Sequence, residues 1–206
     1  QLQADAARAA AKGDPYILYG KVYERTKSQE SLDYLLNTAI TRGYYDDALT
    51  YIAAERKRKG DTEDLLYKAY IVNRRMGNAQ AASSLLSRLY QRNPANKDVA
   101  DELARERLTR AMEMMNNGDY GEALPLLEFA AEHSTDKEVR EAAFNRMVTC
   151  NVELRRYTAA ERALADYQAQ FPDAPNTILK HADILSRSGR TEAALELIAT
   201  KCEEED

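Results

Sequence analysis

The sequence predicts an all-α chain built as a stack of antiparallel helix pairs, and three observations carry that expectation. A short pattern recurs: Gly43-Tyr44-Tyr45-Asp46-Asp47-Ala48-Leu49, Gly77-Asn78-Ala79-Gln80-Ala81-Ala82, Gly118-Asp119-Tyr120-Gly121-Glu122-Ala123-Leu124, Arg155-Arg156-Tyr157-Thr158-Ala159-Ala160 and Gly189-Arg190-Thr191-Glu192-Ala193-Ala194-Leu195. Its alanines Ala48, Ala82, Ala123, Ala160 and Ala194 stand 34, 41, 37 and 34 residues apart, and a period in that range marks stacked repeats. Each copy lies between segments whose apolar residues recur at three and four, the spacing of a helix with one buried face.

At the N-terminus, 2–12 is alanine-rich and reads as a helix ended by Gly13, and Asp14-Pro15 reads as an N-cap followed by proline at the first helical position. Tyr16, Leu18, Tyr19, Val22 and Tyr23 then give an aromatic helix to about Lys27. Residues 1–28 are therefore expected to form an N-terminal capping pair. Five repeat pairs follow over 29–60, 61–96, 97–136, 137–174 and 175–202, and the acidic 203–206 is expected to fray.

The pair at 61–96 shows the grammar most fully. Leu65, Leu66, Ala69, Tyr70, Val72 and Met76 form the apolar face of its first helix. Gly77 ends that helix, because glycine fits the left-handed conformation that follows many helix C-termini, and Asn78 is expected to cap the next. The second helix carries Ala82, Leu85, Leu86, Leu89 and Tyr90 and stops at Pro94. The same reading gives helices over 31–42 and 46–59, 97–117 and 121–133, 137–154 and 158–170, and 176–188 and 191–202. The third interval is longer by seven residues, about two extra turns in its first helix. The fourth is longer by three, which the polar stretch 133–137 is expected to absorb as loop. The alanine after each turn is small because the two helices cross closely there.

Composition excludes several functions. With 44% apolar and 31% charged residues, five prolines and eight glycines, the chain reads as ordered and soluble, one elongated domain without long linkers. A net charge of −5 argues against nucleic acid, whose binding relies on phosphate neutralisation by Lys and Arg. No run approaches the roughly 18 apolar residues of a membrane span. Cys150 and Cys202 have no ligand spacing and read as free thiols, the first in the core. No phosphate-binding glycine loop, His-Glu-x-x-His or nucleophile elbow occurs, and His133 and His181 stand alone, so neither a catalytic centre, a metal nor a cofactor is expected. Asp46-Asp47 suits a helix start, where carboxylates meet the positive end of the dipole. Because residue 1 is Gln, a targeting segment or a larger flanking region is expected to have been removed upstream, and the compartment stays open between cytoplasmic and, if Gln1 follows a removed leader, periplasmic or exported.

The 34-residue helix-turn-helix unit, its small residues near the eighth and twentieth positions, an aromatic near the seventeenth and Pro94 and Pro172 near the thirty-second resemble the tetratricopeptide repeat. The likeness covers about 29–200 and is uneven, since Leu36, Tyr70 and Val148 stand where Ala111 and Ala182 keep the small eighth residue. The resemblance implies a right-handed helical-repeat solenoid whose first helices line a concave groove. Carrying its register over places Tyr34, Asn37, Tyr67, Lys68, Ile71, Arg74, Arg75, Arg105, Leu108, Met112, Asn145, Arg146, Thr149, Lys180, Asp183 and Arg187 on that face. A basic, partly aromatic, Met-containing groove would accept a protein segment, above all an acidic or carboxylate-ended peptide. Of the positions with which one subset of the family clamps a terminal carboxylate, Asp33, Asn37, Lys68, Arg105 and Thr109 here, two of five agree, so chaperone-tail binding is not expected. The reading is a non-enzymatic adaptor, serving as one part of a larger envelope or assembly protein. A structural spacer or dimerisation module using Tyr16, Tyr19 and Tyr23, and an RNA-reading helical repeat, stay open as alternatives.

Overall fold

The computed structural model describes residues 13–205, and among them the chain forms eleven α-helices and no strand. The expected helix over 2–12 lies outside the described residues, as does Asp206. The fold is the all-α, helical-repeat class of antiparallel helix pairs. Where the sequence argument reads one elongated domain, the chain divides into two compact units, Gln1–Arg92 and Asn93–Asp206, and Pro94, which lacks an amide hydrogen, sits just past the division.

In the first unit α1 (Pro15–Thr26), α2 (Gln29–Arg42), α3 (Tyr45–Lys59), α4 (Glu63–Arg75) and α5 (Ala79–Arg92) each pack on the next. Asp14 caps α1, accepting from the Tyr16 amide at 2.9 Å, with Pro15 in the first turn. The tyrosines of α1 are used inside this unit. Tyr16 is buried and donates its hydroxyl to Asp47 at 2.9 Å. Tyr19 stacks on Tyr34 with centroids 4.0 Å apart, and Tyr23 meets Tyr51 edge-on at 6.2 Å. That arrangement accounts for the aromatic richness without a neighbouring chain. Asp47 is thus more than a carboxylate at a helix start, although it does lie in the first turn of α3. The Asn78 side-chain amide donates back to Asn73 Oδ1 at 3.2 Å, across the turn between α4 and α5.

In the second unit, α6 (Lys97–Asn116) packs on α7 (Tyr120–His133) and α8 (Lys137–Glu153), and α8, α9 (Tyr157–Gln170), α10 (Thr177–Arg187) and α11 (Thr191–Glu205) follow in contact order. The seven extra residues of the third interval lie in α6, which has 20 residues against 13 in α4. The three extra residues of the fourth do not lie in the loop. The α7–α8 connection is only Ser134, Thr135 and Asp136, and α8 has 17 residues against 13 in α4. Asp101 on α6 explains why: it accepts from Ser134 Oγ at 2.8 Å and from the Thr135 amide at 2.6 Å, which pins the connection, while Asp136 caps α8 and starts it early. α11 runs three residues past the expected end at Cys202.

All five repeat alanines, Ala48, Ala82, Ala123, Ala160 and Ala194, are buried. So are all five residues of the eighth first-helix position, Leu36, Tyr70, Ala111, Val148 and Ala182, whether or not they are small. Each turn between paired helices closes in one way: the residue at left-handed φ donates to the carbonyl three before it, and its successor to the carbonyl five before. Gly43, Gly77, Gly118 and Gly189 occupy that slot with φ of 75°, 76°, 85° and 86°, and Arg155 occupies it in the fourth copy at 56°.

Candidate functional site

The first helices α2 and α4, and separately α6, α8 and α10, carry every residue assigned to the groove. In the first unit Tyr34 lies half-buried beneath Tyr19, so its ring is spent on α1 rather than presented. Asn37 is exposed on α2. On α4, Tyr67 is 49% exposed and tilts against buried Tyr70 at 6.1 Å, and Arg74 donates to the Tyr70 hydroxyl at 3.0 Å with its guanidinium 5.6 Å from that ring. Arg75 reaches the Ile40 carbonyl at 3.4 Å and so ties α4 to α2. Lys68 pairs with Asp64 one turn back at 2.8 Å, and Ile71 is half-buried. This face is an aromatic and cationic strip along one helix.

The second unit contains a concave site. Between α6 and α8 lies a depression of about 340 Å³ lined by Met112, Met115, Asn116, Asn145, Arg146 and Thr149. It brings together Met112, Asn145, Arg146 and Thr149, all assigned from sequence. Met115 and Asn116 were missed, although they stand three and four residues after Met112 and so share its face of the helix. Arg105, Lys180 and Arg187 lie elsewhere. Arg105 pairs with Asp136 at 3.2 Å and holds that carboxyl below its usual range. Arg187 pairs with Glu153 at 2.9 Å and Asp183 at 3.2 Å, beside a separate polar depression with Arg155 and Tyr157. Lys180 is half-buried on α10. Leu179, one repeat after Asn145, is 58% exposed and was also missed; applying the register to every first helix would have found it.

The chemistry of the depression is recognition. Asn116 and Asn145 each offer an amide donor pair and an acceptor, the groups that match a peptide backbone. Two methionines supply adaptable apolar surface, and Arg146 supplies one cation. The nearby Cys150 thiol is buried, and burial pushes its pKa up to about 11, which leaves it protonated and unreactive. Among the described residues no group of three His, Cys, Asp or Glu side chains could hold a metal ion, and no helix is long and apolar enough to cross a membrane.

No family model matches the chain, and no curated protein matches it. Among solved structures it is similar to MamA AMB-1, with 20% identity over 81% of this chain and 85% of that one and a TM-score of 0.47. It is similar also to MamA from Desulfovibrio magneticus RS-1, with 16% identity over 95% and 97% of the two chains and a TM-score of 0.41. A tetratricopeptide repeat protein from Parabacteroides merdae shares 15% identity over 96% of this chain and 76% of its own, with a TM-score of 0.42.

Proposed function

We propose that this chain is a non-enzymatic scaffold that holds an extended segment of a partner protein on its first-helix faces, with the α6–α8 depression as the principal contact. The observation that carries the reading is the convergence there of two methionines, two asparagines and Arg146 around about 340 Å³ of open space. A segment lying in it would pair its backbone with the asparagines, place one apolar side chain against Met112 and Met115, and turn one carboxylate toward Arg146. The partner need not be broadly acidic, because Lys68, Arg105 and Arg187 are already paired with carboxylates of this chain.

A displayed peptide library selected on the full chain tests this. Enriched peptides should share an apolar residue and a carboxylate at fixed separation, and Met112→Glu and Arg146→Glu should each abolish retention. Selection that enriches nothing, or peptides retained equally by both variants, would refute the assignment and leave the spacer reading.

A further inference from the structure

Charge is divided unevenly along the chain. Residues 1–92 hold 15 Lys and Arg against 11 Asp and Glu, a net of +4, and residues 93–206 hold 14 against 23, a net of −9. Within the first unit the cations gather at one edge, where α1, α3 and α5 all end. Contacts between those ends place them together. Arg58 at the end of α3 donates to the Lys27 carbonyl just past α1 at 3.4 Å. Asp61, in the loop after α3, takes Arg56 and, at 2.5 Å, Arg88 of α5, and Arg92 of α5 reaches the Asp61 carbonyl.

A helix C-terminus attracts cations to its carbonyls, and that would explain one or two of them. It does not explain this edge. The last turn of α3 holds four in succession, Arg56, Lys57, Arg58 and Lys59, all exposed, with Arg25 in the last turn of α1 and Arg92 in that of α5. The corresponding helices of the second unit have only His133 in the last turn of α7 and no basic residue in those of α9 and α11. Helix ends of the same kind thus do without the cations. Few carboxylates answer the row. Asp61 is shared between Arg56 and Arg88, Glu55 is buried beside Lys59, and Asp64 at the start of α4 pairs with Lys68. Glu30 and Glu63, in the first turns of α2 and α4, are outnumbered, and Arg25 and Lys57 form no ion pair among the described residues.

We propose that this edge attaches the chain to a membrane surface bearing anionic phospholipid, by charge and without insertion. A cluster of about four to eight Lys and Arg suffices for such attachment, each cation near the surface contributing about fivefold in affinity. Four consecutive residues step about 100° apart around a helix, so the cations fan out around the end of α3. With those of the neighbouring α1 and α5 ends they spread in two dimensions, and a plane of headgroups meets that spread. An acidic polypeptide would ask for apolar pockets beside the cations, and a single nucleic-acid strand for rings on which to stack. The row supplies Lys and Arg alone. It shares no residue with the α6–α8 depression, and the attachment goes beyond the scaffold reading: it concerns where the scaffold is held and stands or falls without the partner segment.

The test is cosedimentation of the full chain with sucrose-loaded vesicles of phosphatidylcholine, with and without phosphatidylserine, at low and at physiological salt. Binding is expected only where phosphatidylserine is present, and it should weaken as salt screens the exposed charge. Lys57→Gln combined with Arg58→Gln should weaken it about twentyfold. Arg156→Gln combined with Arg162→Gln changes the net charge equally through exposed cations of the second unit, and should leave binding unchanged. All four side chains are exposed, so an unaltered helical circular dichroism spectrum separates lost attachment from lost fold. Absence of binding, binding indifferent to phosphatidylserine, or an equal response of the two double variants would overturn the proposal. So would retention of duplex RNA through Lys57 and Arg58 in place of vesicle binding, which gives the edge to nucleic acid. A low-salt dimer by light scattering that their replacement dissolves, again in place of vesicle binding, would overturn it in favour of the acidic unit of a second copy.

Discussion

Replacing Arg155 by glycine should stabilise the protein. Arg155 closes the turn between α8 and α9 in the slot that glycine holds in the other four copies, at a φ of 56°. The turn is fully formed around it, with the Arg155 amide donating to the Val152 carbonyl at 2.9 Å and the Arg156 amide to that of Asn151 at 2.8 Å. Substitution therefore changes no backbone bond. The left-handed conformation costs a residue bearing a Cβ about 1–2 kcal/mol, which glycine escapes. Against this, glycine makes the unfolded chain more flexible, at a cost of about 0.4–1 kcal/mol. The Arg155 side chain is exposed and forms no ion pair among the described residues, so its loss adds little. The net expectation is a gain of about 0.5–1 kcal/mol, or about 1–4 °C in the melting temperature followed by circular dichroism at 222 nm. Gly118→Ala is the reciprocal change. A Cβ there meets nothing within 4 Å, so its effect isolates the backbone, and it should lower stability by a similar amount. If Arg155→Gly leaves the midpoint unchanged or lowers it, the inference from the shared turn to backbone strain is wrong.

Three other perturbations follow from the packing. Glu55 is 3% exposed in the register slot that holds Leu89, Ala130 and Tyr167 in later copies; one carboxylate oxygen takes Gln29 at 2.6 Å and Lys59 at 2.6 Å, and the other has no partner among the described residues. Glu55→Leu should be neutral or stabilising by about 1 kcal/mol in urea titration, and a large loss would show that the bonds to Gln29 and Lys59 hold α2 to α3. Burial pushes the Asp101 carboxyl up, but its bonds from Thr135, Ser134 and Asp136 outweigh that and lower its pKa. A lowered pKa gives stability that is present above about pH 4 and is lost as pH falls through the folded value. Asp101→Asn should thus be less stable than wild type at pH 7 and converge with it as pH falls through the folded value, and parallel urea midpoints across that range would refute the role. Pro125 lies inside α7, where it removes the bond to the Gly121 carbonyl. Pro125→Ala should stabilise the protein by about 2 kcal/mol after the unfolded-state term, read as a higher melting temperature by circular dichroism.

The helix pairs were legible because each is announced by local chemistry: an alanine at the crossing, a face of apolar residues and, in four of the five copies, a glycine that can turn left-handed. The fate of Tyr16, Tyr19 and Tyr23 was not legible, since helix periodicity shows that a face is apolar and not what covers it; here the answer is α2 and α3. The length of α8 was misread for a similar reason. A polar run such as 133–137 resembles a loop, but Asp101, some thirty residues earlier, decides how much of it is one. At the candidate site Met112, Asn145, Arg146 and Thr149, taken together by the register, line one depression between α6 and α8. It could not show that Tyr34 would lie under a neighbour, because α1 stands outside the repeat.

The cations on the first helices were read as a ligand's counter-charge, and the structure shows a different use for most of them. Arg187 and Glu153 stand 34 residues apart and meet at 2.9 Å. Arg105 and Asp136 are 31 apart and meet at 3.2 Å, and Arg75 reaches the carbonyl of Ile40, 35 residues before it. In a repeat array two residues about one period apart occupy nearly equivalent places on neighbouring helices, so a cation finds a carboxylate or a helix-end carbonyl without any long-range coincidence. Each contact is exposed and screened by solvent, so it adds less stability than the burial of one leucine. Its effect is directional, because a guanidinium bonded across to a neighbouring repeat resists sliding of one first helix along the next, which apolar contact alone does not. The same pairing withdraws charge from the face a ligand would meet. What distinguishes the α6–α8 depression is that Arg146, whose guanidinium donates to the Ala142 carbonyl at 3.4 Å on its own helix, lies beside neutral amides and thioethers and forms no ion pair among the described residues.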